Sequence, residues 1–509
     1  MTTANKTTAL VSLYVIAFLL TIFVPVRLLV AQETNGDNPF DQKPIESPSE
    51  TGPESSQETV GNPGRSNESA LAAVTKELAE LIPSEGDLDP KVVSKLQDVT
   101  IAYAGRDMPR VRELLKEMNA STPLFPPVEM MVAALHFRAN QNAAGFQALE
   151  TAAKNAPDYP GVYFGFGRMA LNQNRLTDAG ALVDKAGRIF GNGKFSEVET
   201  KHFRSQYYQI VTLVALKQDR LEKAARLAAS FEKFAPSDAR SLALSAEVAC
   251  ANGESEKSLT YLQRLREVKP NVRAPELIIA GWCRNFGREE ESDNWMRKAS
   301  SQYPDQAAIQ IAVADWAITS EDFDVAMGAV EKAVKANQKE LPGTLWIKGQ
   351  IAFAKGDYPA AESALEQLYK INSRSAEISQ QYALCLIESS DEEKRFLAQE
   401  LATKNFQASP SNPRALAALG WIMYRRGEKQ NAQQLFARVA QSGNMTAEAA
   451  YFLAVFVSEN EDPGADRLLE NAVQKKGYFM YRKPANELLV KVKADLAEGN
   501  GQDLPKPTE

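Results

Sequence analysis

Two histidines and three cysteines in 509 residues leave little material for a metal site, a redox centre or an acid–base catalyst. The chain contains no H-E-x-x-H, C-x-x-C, G-x-S-x-G or phosphate-cradling glycine motif. Acidic side chains are plentiful, but their spacing follows solvent-facing helix positions rather than a paired-carboxylate site. The expectation is therefore no enzyme, no cofactor and no metal. His136 is expected to be a packed or partly exposed side chain, and His202 a surface one. A strong basic excess is missing as well: the formal net charge is −7. Residues 32–69 hold eight acidic side chains against Lys43 and Arg65, while residues 1–31 carry only Lys6 and Arg27, so residues 70–498 are nearly neutral. A sequence-independent nucleic-acid binder needs clustered Lys and Arg to displace counterions, so no nucleic-acid partner is expected.

Charge is also absent between Lys6 and Arg27, where twenty uncharged and mostly apolar residues run from Thr7 to Val26. At about 1.5 Å per residue they reach roughly 30 Å, the hydrocarbon thickness of a bilayer. A cleaved export signal has a shorter apolar stretch and a small-x-small site, whereas Leu29-Val30-Ala31 is small only at its last position. Residues 1–31 are therefore expected to be an uncleaved signal anchor, with a cleaved signal peptide as the alternative. Either outcome places the body outside the cytoplasm, in the cell envelope or as a secreted or periplasmic protein. Residues 32–69 follow with Pro39, Pro44, Pro48, Pro53 and Pro63 among Ser, Glu, Gly and Asn. Few apolar groups there can offset the entropy of ordering, which predicts a disordered acidic tether.

The remainder keeps a beat. Prolines stand at Pro123 and Pro157, then at Pro236, Pro270 and Pro304, with three of the four gaps equal to 34 residues. A mostly small residue recurs at Val111, Gly145, Ala179, Ala224, Ser258, Ser292, Ala326, Ala361, Ala398, Ala432 and Ala465. About twelve residues before each comes a second small series: Val99, Ala133, Gly167, Thr212, Ala246, Ala280, Ala314, Gly349, Ala383, Gly420 and Ala454. Two small positions per period suit a pair of antiparallel helices in close approach, since a larger residue would overpack the contact by roughly 1–3 kcal/mol. Four residues after the second small position a larger apolar residue usually follows, as at Val183, Leu365 and Phe436, on the same helical face. Gly, Asn or Asp marks many of the turns between helices.

With the period in place, the stretch Leu345-Trp346-Ile347-Lys348-Gly349, continued by Ala354-Lys355-Gly356-Asp357-Tyr358-Pro359-Ala360-Ala361 and Leu365, resembles a tetratricopeptide repeat. So does Ala418-Leu419-Gly420-Trp421, continued by Arg426-Gly427, Ala432 and Phe436. Traced outward, the resemblance covers residues 92–479, about three quarters of the chain. It implies an all-α, right-handed superhelical solenoid of about eleven stacked helix-turn-helix repeats. Residues 70–91 and 480–498 are expected to be capping helices and 499–509 a disordered tail. An insertion of 11 residues around Asn192–Arg204, and a slighter one at 388–397, are expected to be tolerated surface segments or loops that shape a groove edge.

In this family the first helix of each repeat lines a concave groove that binds other proteins or peptides. The resemblance thus implies groove residues at Arg168, Arg240, Glu247, Arg284, Asp315, Trp346, Gln350, Phe353, Trp421, Tyr424 and Arg425. Aromatic and Arg side chains are the types enriched where interfaces bind most strongly. The Lys and Asn four apart that hold a terminal carboxylate in one subclass occur on no first helix. The expected function is a non-catalytic interaction scaffold of the cell envelope, reaching the membrane through its N-terminal segment. The alternative is an envelope polysaccharide-binding protein, with the same aromatics stacking on sugars. Cys250, Cys283 and Cys385 all fall late in first helices and are expected as three unpaired thiols packed like small hydrophobes. A Cys250–Cys283 disulfide stays open, because spacing does not establish the Cα separation.

Overall fold

The structure, a computed structural model, describes residues 64–84, 86–443, 445–459 and 464–501. The expected membrane segment, all of 32–63 in the expected tether and residues 502–509 of the expected tail lie outside the described residues. Among the described residues no helix is long and apolar enough to cross a membrane.

The described residues form 24 helices and no strands. The first, α1, spans Gly64–Ala79. Eleven pairs follow. They are α2 (Pro90–Ala104) with α3 (Met108–Ser121), α4 (Val128–Arg138) with α5 (Asn142–Asn155), and α6 (Pro160–Asn172) with α7 (Leu176–Asn192). Next come α8 (Glu197–Lys217) with α9 (Leu221–Phe234), α10 (Ala239–Ala251) with α11 (Ser255–Val268), and α12 (Pro275–Asn285) with α13 (Glu289–Gln302). The series continues with α14 (Ala307–Thr319) and α15 (Phe323–Asn337), α16 (Pro342–Ala354) and α17 (Tyr358–Ile371), and α18 (Ala376–Leu386) and α19 (Glu392–Ala408). The last pairs are α20 (Pro413–Arg425) with α21 (Lys429–Gln441) and α22 (Ala447–Glu459) with α23 (Ala465–Gln474), before a final α24 (Arg482–Gly501). Helix α1 thus begins inside the stretch expected to be tether and stops at Ala79, well short of 91. Helix α24 continues past 498. The fold is an all-α helical repeat solenoid.

Local chemistry sets these boundaries. Prolines 90, 160, 275, 342 and 413 open first helices, where a missing N–H costs nothing. The side chains of Asp107, Asp322 and Asp357 each accept a backbone N–H at the start of a second helix. In nine of the eleven pairs the first helix ends on a residue with positive φ. Four of these are glycines and three are Asn140, Asn174 and Asp219, the types that tolerate a left-handed turn. The other two, Arg106 and Glu321, adopt it without that advantage. The closing hydrogen bonds recur too, as in Glu254 N to Ala249 O at 2.9 Å and Asp357 N to Ala352 O at 2.9 Å.

The two small series are where the helices meet. All twenty-two positions are buried. A Cβ added to Gly167 would lie 2.6 Å from Val183 Cγ2, one added to Gly349 2.9 Å from Leu365 Cγ, and one added to Gly420 2.9 Å from Phe436 Cε1. Each clash is with the apolar residue four places after the second small position. The sequence period therefore encodes the inter-helix distance directly.

The chain divides into two compact units, the first ending at Ser292 and the second beginning at Asp293. In the first, α6 packs on α8, α8 on α10 and α10 on α12. In the second, α14 packs on α16, α18 on α20 and α20 on α22. Each unit thereby gathers its first helices on one face. The insertion near 192–204 proves to be structural: it lengthens α8 to 21 residues, opened by a capping box between Ser196 and Glu199. Phe203 within it is fully buried, 5.5 Å from the Tyr159 ring and 5.4 Å from that of Phe195.

Candidate functional site

In the first unit, helix α1 and the turn after it lie on the first-helix face. Val74 and Leu78 of α1 are buried, and α1 packs on both α2 and α4. Leu78, Glu80 and Leu81 share a cavity of about 70 Å³ with Arg168 of α6, Gln209 of α8 and Arg240 of α10. Glu77 pairs with Arg138 of α4 at 3.6 Å. Arg240 is held in a fork by Asp238, with contacts of 2.7 and 3.2 Å. Arg168 donates to Gln209 Oε1 at 3.4 Å. Burial, and then the nearby Arg240 charge, lower the Arg168 guanidinium to about 10.

His202 belongs to this cluster rather than to the surface. It is half-buried on α8, 2.6 Å from the Gln206 amide, and burial with the two arginine charges depresses it to about 3. The surface expectation fails because the insertion continues α8 inward instead of looping out. His136 is packed as expected, its Nδ1 2.8 Å from Gln141 Oε1 and 3.0 Å from Tyr103 Oη. Two other expected groove residues of this unit stand apart from the cavity. Glu247 is half-buried on α10, where burial raises its carboxyl to about 7 against the opposing pull of Lys217. Arg284 is exposed on the last turn of α12.

The second unit is filled from the other end of the chain. Between α23 and α24, residues Phe479, Met480 and Tyr481 are buried, each 2–3% exposed. The Tyr481 ring lies 5.1 Å from Phe353, 5.9 Å from Trp421, 5.3 Å from Tyr451 and 5.2 Å from Phe452. Trp421 and Phe452 are themselves stacked at 4.7 Å. Tyr478 Oη donates to the Gln350 carbonyl at 2.7 Å, and Tyr481 Oη lies 3.3 Å from the Leu384 carbonyl and 3.2 Å from Glu388. Arg482 pairs with Glu321. The segment thus crosses first helices from α16 to α22 and ends against the turn after α14.

Four expected groove residues, Gln350, Phe353, Trp421 and Tyr424, are consequently buried at 2–7% exposure. They meet the chain's own aromatic segment and core rather than solvent. Arg425 is half-buried, its Nη1 shared between the two Glu388 carboxylate oxygens at 2.9 and 3.1 Å, with its guanidinium over the Trp421 ring. Trp346 is half-buried against the same core, and Asp315 is exposed on α14. Sequence reasoning missed Tyr478, Tyr481 and Arg482 as occupants of the face, and Glu388 and Glu321 as their anchors. One signal was present: the run Tyr478-Phe479-Met480-Tyr481 straddles the end of the periodic region at 479 and is too apolar for an exposed tail.

Helix pairs joined by a recurrent turn, with the first helices of each unit gathered on one face, define a helical repeat protein. The family model described as "Tetratricopeptide repeat" matches residues 133–193 and 313–377, in phase with the two small series. These two stretches are tetratricopeptide repeats, and the helix pairs on either side of them keep the same period. Among solved structures it is similar to yeast Tom70, at 12% identity over 80% of this chain and 96% of that one, with a TM-score of 0.32. It is also similar to a tetratricopeptide repeat protein from Parabacteroides merdae, at 14% identity over 50% and 99% of the two chains, with a TM-score of 0.34. A third is YrrB, at 18% identity over 39% and 97%, with a TM-score of 0.26. No protein of curated function matches the chain in sequence.

Proposed function

We propose that this protein is a non-catalytic scaffold of the cell envelope that holds partner proteins through segments laid across its first-helix faces. The observation that carries the reading is the seat of residues 478–482 in the second unit. There, aromatic sockets and helix-end carbonyls grip a segment of the chain itself, with the Tyr478 hydroxyl on the Gln350 carbonyl and the Tyr481 ring among four others. A surface that binds one segment by rings and main-chain acceptors has the chemistry to bind another. Arg284, exposed in the first unit, and Trp346, half-buried in the second, are expected groove residues accessible enough to test. The aromatics that a stacked sugar would need, Phe353, Trp421 and Tyr424, are buried, which favours a protein partner over a polysaccharide.

The envelope part of the proposal rests on the uncharged span from Thr7 to Val26. The test is affinity capture from the native organism with three full-length baits: the natural chain, Arg284→Glu and Trp346→Ala. Each variant is first checked for unchanged helix content. Partners captured by the natural chain and lost with a variant support the face. Equal recovery by all three baits refutes it, and recovery of the native protein in the cytosolic fraction refutes the envelope assignment.

A further inference from the structure

Two buried thiols lie together in the first unit. Cys250 is one residue from the C-terminal end of α10 and Cys283 two residues from that of α12, the first helices of adjacent repeats, which pack on each other. Their sulfurs are 3.8 Å apart, and both residues are fully buried. A disulfide needs an S–S distance near 2.05 Å, so closure asks for less than 2 Å of sulfur movement. Arg288, in the turn after α12, supplies a cation: its Nη2 is 3.3 Å from Cys250 Sγ and also donates to the Cys250 carbonyl. Glu291 accepts from Nη1 of the same guanidinium at 2.8 Å and so fixes its position. Ser255 Oγ lies 3.9 Å from Cys283 Sγ. Nothing in the binding role proposed above uses any of these five groups.

We propose that Cys250 and Cys283 form a dithiol–disulfide pair that closes across adjacent repeats, with Cys283 as the attacking thiol. Its co-reactant is a low-molecular-weight disulfide. The Cys283 thiolate attacks one sulfur of that reagent, whose S–S bond breaks and releases one thiol. Cys250, deprotonated, then attacks the Cys283 sulfur of the mixed disulfide and releases the second thiol. Two electrons and two protons pass from the protein to the reagent, which leaves as two thiols. The contact with Cys250 Sγ at 3.8 Å, then Ser255 Oγ at 3.9 Å and the Arg288 charge, hold Cys283 below the ordinary thiol range. Because both sulfurs are buried, the reagent reaches them through local opening of the helix ends, so the reaction is slow but confined to this pair. Cys385 is alone in the second unit, and burial pushes its thiol up to about 12.

The test treats the folded full-length chain with cystamine, then labels remaining thiols with a maleimide in denaturant and maps the peptides. The expected result is a fall from three labelled cysteines to one, a mass lower by two hydrogens, and a single linked peptide joining Cys250 to Cys283. Cys385→Ser keeps the link; Cys250→Ser and Cys283→Ser each abolish it, and the Cys250→Ser chain stops at a mixed disulfide on Cys283. Three labelled thiols at every cystamine concentration would overturn the proposal, as would a link involving Cys385. A mixed disulfide that persists on Cys283 of the natural chain would also overturn it, since Cys250 would then have failed to resolve it.

Discussion

Tyr481→Ala separates a seated segment from one that merely lies against the repeats. The ring is 3% exposed and touches four aromatic neighbours from three first helices. Truncating a buried aromatic of this kind costs roughly 3–5 kcal/mol, because the lost transfer energy is joined by that of the cavity left behind. The loss falls on local opening of α16, α20 and α22, the helices against which the ring packs. At about 1.4 kcal/mol per decade, the expected effect is exchange at least about 100-fold faster. Hydrogen exchange with mass spectrometry reads this from peptides covering Pro413–Arg425 and Ala447–Glu459. Tyr481→Phe keeps the ring but gives up the contacts to Leu384 and Glu388, and should lose only about 1 kcal/mol. Val490→Ala on α24, at a site 71% exposed, is the control, with an effect within about 0.5 kcal/mol. If Tyr481→Ala exchanges like the control, the segment does not hold this face and the reasoning fails.

Three further outcomes follow from the same geometry. Glu247 ionises near 7 in the fold against about 4.5 in an unfolded chain, so the native state holds the extra proton and stability falls as pH rises from 4.5 through 7. Glu247→Gln should be near neutral at pH 4.5 and stabilise by about 1–3 kcal/mol at pH 8; urea melts showing the same difference at both pH values would refute this. Gly349→Ala should destabilise by about 1–3 kcal/mol, since its Cβ meets Leu365 at 2.9 Å, whereas Gly180→Ala on α7 has open space and should gain up to about 1 kcal/mol. Thermal melts check the opposite signs. Ser196→Ala removes the capping box that opens α8 and should cost about 0.5–2 kcal/mol, read as faster exchange over Glu197–Phe203.

The repeat architecture was legible because it is periodic and local. Gly167 and Val183, or Gly420 and Phe436, are partners sixteen residues apart, and such pairing returns along the period, so spacing alone reveals it. The helix turns were legible for a similar reason, except at Arg106 and Glu321, where the closing hydrogen bonds impose a left-handed residue that the side chain does not advertise. The faces were less legible. Their residues were assigned position by position, which placed Arg168 and Arg240 on one cavity. Position within a repeat cannot say what covers a face. Tyr478 reaches Gln350 across 128 residues, and that contact has no period to betray it. His202 was misjudged on the same ground: an insertion looks like a surface loop until Phe203 beside it is seen to be core.

The short connection from α23 to Tyr478 has a kinetic and thermodynamic meaning of its own. A ligand tied by a few residues acts as if present at about millimolar concentration, with no dependence on how much protein is in solution. If the second-unit face is covered 99% of the time, a competing peptide of micromolar intrinsic affinity binds with an apparent Kd of about 100 μM. Weak and accidental sequences are then turned away without any contact that discriminates against them. A partner able to bind here must be either strong, abundant or attached at a second point. On the binding role proposed above, tethering would thus give a permissive surface an affinity threshold, set by the grip on Tyr478 and Tyr481.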